Sequence, residues 1–99
     1  NVFIAECKFW KGPKAFAQAI DQLLGYATWR DGKGVVLVFN RGTETSTVIA
    51  VIETVCKAHL NFKRVLPYAH ESGLRYVLHS NGDANREVIL TVLVFHVPS

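Results

Sequence analysis

The feature that most constrains this chain is an apolar pattern of helical period set between two short runs of strand character. Phe16, Ala19, Ile20, Leu23, Leu24 and Ala27 recur on one helix face, starting from Pro13, which suits a first helical position, until Asp31-Gly32 interrupts the pattern. Before it, Asn1 to Cys7 is β-branched and aromatic at Val2, Phe3 and Ile4, and gives way to the turn-prone Lys11-Gly12-Pro13. After it, Val35 to Phe39 is a continuous apolar run bounded by Gly34 and Asn40-Arg41-Gly42, the signature of a strand buried on both faces. The pattern predicts two parallel strands joined by a right-handed crossover through a helix of about five turns.

The rest of the chain extends this beginning. Thr43 to Thr47 offers several N-cap side chains, and Val48, Ile49, Ile52, Val55 and Cys56 then mark a second helix ending near His59. Phe62 to Tyr68, Leu74 to His79 and Val88 to Val97 read as strands. The turn dipeptides Ser72-Gly73 and Asn81-Gly82 separate them, which predicts an antiparallel meander. The expected fold is α/β, in the order β-α-β-α-β-β-β, with a mixed sheet.

Size and composition set the outer limits. At 99 residues, with 49% apolar and 19% charged side chains, the chain suits one domain over residues 1–99 and is too short for two independent cores. It opens inside a strand-like run and contains no methionine, which predicts a fragment of a longer protein. Lys and Arg number 11 against 8 acids, and the resulting +3 tolerates a polyanionic partner without requiring one. Cys7 and Cys56 are too far apart in sequence for a metal knuckle and too few for a disulfide scaffold, which fits a reducing compartment. No apolar run is long enough to span a bilayer, and no basic-then-apolar leader is visible. The expectation is a cytoplasmic protein without a membrane partner.

Candidate chemistry begins at Glu6-Cys7-Lys8. The period of two in a strand places Glu6 and Lys8 on one face and turns Cys7 to the other. A carboxylate there can ligate a hard cation, and an adjacent ammonium can stabilise phosphate charge. An ordinary solvated pair explains the same two residues. On the following helix Gln18, Gln22 and Tyr26 recur every fourth residue, with Lys14 and Arg30 extending the row; each step drifts by about 40°, so Gln22 and Tyr26 project together. An amide and a phenol can engage a phosphate or a base. Equally, Tyr26 can sit at a core margin with its hydroxyl in water.

Lys8, Lys11 and Lys14 would form a phosphate-tracking patch if DNA binds, or a solvated surface beside a turn. Trp10 either contacts a nucleotide or lids the first helix, the second being the simpler reading; Trp29-Arg30 offers the same choice at the helix end. His59, His70, His79 and His96 lack close ligand spacing and read as capping or edge residues rather than a zinc site. Asp21 and Asp31 are poorly placed to join Glu6, and Glu53, Glu71, Asp83 and Glu87 lie far along the chain.

Strand-borne Glu6-x-Lys8 followed by Gln22-Leu23-Leu24-Gly25-Tyr26 resembles the PD-(D/E)xK nuclease superfamily, and the QxxxY element is similar to that of its RecB-like exonuclease branch. The resemblance covers roughly the first 40 residues and implies a restriction-endonuclease-like partial core. It implies metal-dependent DNA phosphodiester hydrolysis by the longer protein, with Glu6 as a ligand of Mg²⁺ or Mn²⁺ and Lys8 as the second catalytic residue. Gln22 and Tyr26 would assist DNA engagement, with Lys11 and Lys14 beside them. The upstream acid of that pattern has no counterpart here, so the chain would carry half of the active site. The alternative is a catalytically incomplete module that binds nucleic acid or protein. DNA is the expected partner, and a homo-oligomer is permitted.

Overall fold

The computed structural model describes residues 2–26, 32–69 and 72–98. The elements are β1 (Val2–Phe9), α1 (Pro13–Tyr26), β2 (Gly32–Asn40), α2 (Thr45–Ala58), β3 (Phe62–Leu66), β4 (Gly73–Ser80) and β5 (Asp83–His96). They build a mixed α/β domain with a five-stranded sheet in the order β1-β2-β5-β4-β3. β1 and β5 both run parallel to β2, and the β3-β4-β5 meander is antiparallel, in the expected element order.

Pro13 opens α1 as the first helical residue, and the Phe16 N–H donates to the Gly12 carbonyl at 3.2 Å. The described helix covers 14 residues, just under four turns; the expected fifth turn falls on 27–31, outside the described residues. Its side chains Phe16, Ile20, Leu23 and Leu24 meet Val48, Ile52 and Cys56 of α2 over Val36, Val38, Tyr76, Leu78, Val88, Leu90, Val92 and Val94 of the sheet. The strand residues in that cluster are alternate ones, so both helices lie on one face of the sheet.

Three expectations need correction. β2 is not buried on both faces: Val36, Val38 and Asn40 are fully covered, whereas Val35, Leu37 and Phe39 are half-exposed, because no helix among the described residues packs on their side. The α2 cap is Glu44, which makes no side-chain capping bond, instead of a threonine or serine. Thr43 is held in the preceding loop, where its carbonyl accepts Asn40 Nδ2 at 2.6 Å. β5 begins at Asp83 and not near Val88, because the two-residue Asn81-Gly82 turn, with Gly82 at φ 79°, lets pairing start at once at Ser80 and Asp83. The polar stretch from Asp83 to Arg86 joins the strand through that turn, without an apolar pattern of its own.

Candidate nucleic-acid site

Parallel pairing places Glu6 opposite Val36 and Lys8 opposite Val38, and directly paired residues share a sheet face. Val36 and Val38 belong to the core beneath the helices, so Glu6 and Lys8 point toward the α1 side and Cys7, opposite Leu37, points away. The α1 residues Gln18 and Gln22 lie across from this end of β1. Together with Lys8, Lys11, Trp10 and Phe16 they line a pocket of about 250 Å³ floored by Val38.

The fold therefore joins Lys8, Lys11 and Gln22, which are separate in sequence, and adds Gln18, the member of the every-fourth-residue row one turn before Gln22. Glu6 shares the face but is not among the lining residues, and neither is Lys14, which is exposed on the first turn of α1. Tyr26 closes α1 at its last residue; its side chain lies outside the described residues. Trp29, Arg30, Asp31, His70 and Glu71 likewise fall outside them.

Trp10 takes the lid position. Its backbone N–H donates to the Phe39 carbonyl at 2.8 Å, carrying the β1-β2 pairing one residue further, and its ring tilts against Phe16 at 6.1 Å between centroids. The indole thus walls the pocket with one side against the core.

Four of the other described acids are committed to local partners, and Glu44 at the start of α2 is exposed. Asp21 meets His59, Glu53 pairs with Lys57 at 2.7 Å, and Asp83 Oδ1 accepts the Asn85 N–H at 2.9 Å. Glu87 accepts a two-pronged bond from Arg64, 3.1 Å on each oxygen, and a contact from Lys63 at 2.9 Å. Hydrogen bonds from Arg64, then from Lys63, hold the Glu87 carboxyl down at about 2, and the same partnership raises the Arg64 guanidinium. The β-bulge between Phe62 and Arg64 brings Lys63 and Arg64 to one acid.

Among the described residues no group of three or more His, Cys, Asp or Glu side chains is gathered where a metal ion could be held. Two ammonium and two amide groups at the pocket, with one carboxylate on the same face, do not fit Mg²⁺ or Mn²⁺, which call for several hard oxygen ligands. The same donors suit an anion. Ammonium and amide N–H groups bond phosphate oxygens, and the half-buried indole offers a π-surface beside them.

No protein-family model, no curated protein and no solved structure matches this chain.

Proposed function

We propose that the Lys8 pocket binds the phosphodiester backbone of DNA. As part of a longer protein, this chain would supply the lysine half of a restriction-endonuclease-like site for metal-dependent phosphodiester hydrolysis. The observation that supports this reading is the meeting of Lys8 and Gln22 at one pocket, with Glu6 on the same sheet face. Lys8 would stabilise charge on the phosphoryl oxygens, and Gln22, Gln18 and Lys11 would hold the backbone in place. The acids that hold a divalent cation would have to come largely from outside these residues, Glu6 contributing one.

A second reading has an observation of its own. The residues lining the pocket include no carboxylate, which favours a catalytically incomplete module that binds nucleic acid through the same lysines and glutamines.

One experiment separates the two. The chain, within any longer protein that contains it and supplied with Mg²⁺ or Mn²⁺, is assayed on single- and double-stranded DNA alongside Lys8→Ala and Glu6→Ala. Under the hydrolytic reading each substitution lowers the rate by about 10² to 10³ while the fold persists. DNA binding without any cleavage leaves the binding module, and absence of both removes the pocket from nucleic-acid chemistry.

A further inference from the structure

The sheet face turned away from the helices carries an apolar belt. Phe9, Phe39 and Phe95 stand in register across β1, β2 and β5, with ring centroids 5.8 and 5.7 Å apart. Phe9 is 55% exposed and Phe95 41%. Behind this row the belt continues along β2 and β5 through Val35, Leu37, Ile89 and Leu93, all half-exposed. At its far end a cleft of about 260 Å³ opens between Lys33, Arg75, Tyr68 and the aliphatic side chains of Leu66, Ile89 and Leu93.

The rim is cationic. Lys33 and Arg41 are exposed, Arg41 standing 5.7 Å over the Phe9 ring. Arg75 lies 4.2 Å over the Tyr68 ring and is steadied by its Nε–H donating to Thr91 Oγ1 at 2.9 Å. Glu87, an acid of this face, is already neutralised by Arg64 and Lys63. Lys33, Arg41 and Arg75 therefore have no carboxylate partner among the described residues.

We propose that this face docks an amphipathic helix of a partner protein, apolar along one stripe and acidic along the stripe's borders. From Ile89 to Phe95 the belt runs roughly 20 Å, the length of a helix of about 14 residues, and two neighbouring strands match the width of one helix. Beyond the phenylalanine row, Val35, Leu37, Ile89 and Leu93 favour this occupant over single-stranded nucleic acid, because aliphatic side chains cannot stack with bases as the rings can and their burial requires an apolar counterpart. A second copy of the chain would bring like charges against one another at Lys33, Arg41 and Arg75. A large apolar side chain of the docked helix fits the Lys33–Arg75 cleft, with a carboxylate on its border meeting the two cations.

The test uses two synthetic helical peptides that share a Leu stripe, one flanked by Glu and one by Lys, titrated into the 99-residue protein and followed by amide NMR. The Glu-flanked peptide should shift amides of residues 35–39 and 89–95 and bind about ten-fold or more tightly than the Lys-flanked one. Lys33→Glu with Arg41→Glu, both at exposed positions, should reverse that preference, and Phe9→Ser with Phe95→Ser should weaken both peptides. The charge reversal keeps the test decisive if the phenylalanine variant fails to fold. Failure of the Glu-flanked peptide to bind would overturn the proposal, as would binding indifferent to the charge reversal. So would oligo(dT) shifting the same amides in the peptide's place, or sedimentation showing a dimer that Phe95→Ser abolishes.

Discussion

His59 Nε2 stands 2.7 Å from Asp21 Oδ1, joining the C-terminal cap of α2 to the middle of α1. The backbone N–H of Asn61 donates to His59 Nδ1 at 3.0 Å, which places the ring proton of the neutral imidazole on Nε2, directed at the carboxylate. Asn61 Nδ2 in turn donates to the His79 carbonyl at 2.9 Å and to Asn81 Oδ1 at 3.0 Å. One short loop thus fastens both helices to the β4–β5 turn.

Asn61→Ala should lower stability by about 1 to 3 kcal/mol, because Asn61 is buried and its loss leaves the His79 carbonyl without that donor. Asp21→Asn should cost less, since Asp21 is largely exposed. Urea denaturation of the two variants checks the order.

Acid should loosen the far side of the sheet. Glu87 titrates at about 2 in the fold against an ordinary value of 4.5, so its contribution is present above pH 4.5 and is lost as pH falls toward 2. Denaturation midpoints of the wild type and Glu87→Gln, compared across that window, should converge at its acid end. Added salt should narrow the difference at neutral pH, because the cluster is open to solvent.

The two cysteines should separate cleanly toward a thiol reagent. Cys7 is exposed and should react in the folded protein, whereas Cys56 is fully buried and should react only on unfolding. Desolvation pushes the Cys56 thiol up from 9.0 to about 12, so above pH 9 the unfolded chain gains charge that the fold refuses, and stability falls as pH rises. Counting fast and slow thiols before and after denaturant checks the first claim, and the melting temperature above pH 9 checks the second.

At the pocket, Lys8→Gln and Lys11→Gln should each weaken DNA binding and flatten its salt dependence by about one counterion. Gln22→Ala should weaken binding with little change in the salt slope, since an amide releases no counterion. Fluorescence anisotropy at several salt concentrations measures both. Equal slopes for all three variants would show that the lysines do not reach phosphate.

Gly34 reads in the sequence as a boundary before Val35, yet it lies inside β2, and a Cβ there would stand 2.5 Å from Leu23 Cδ2. Gly34→Ala should therefore cost about 1 to 3 kcal/mol by overpacking, as Leu23 is wholly enclosed in the core. Thermal melting of the variant decides it.

The order of seven elements, the parallel β1-β2 pair and the shared face of Glu6 and Lys8 follow from local periods of two and 3.6 residues, which neighbouring side chains carry by themselves. The Gln18–Gln22 row was legible for the same reason. Its meeting with Lys8 and Lys11 in one pocket, and the separation of Glu6 and Lys14 from it, depended on how α1 settles over β1. The Asp21–His59 contact spans 38 residues, and the phenylalanine row joins three strands from distant parts of the chain, so no local pattern announces either. The apolar run from Val35 to Phe39 specified a strand but not which of its faces would be covered. That was decided when both helices packed on the side of Val36 and Val38, because burial is a property of the assembled layers and not of the strand.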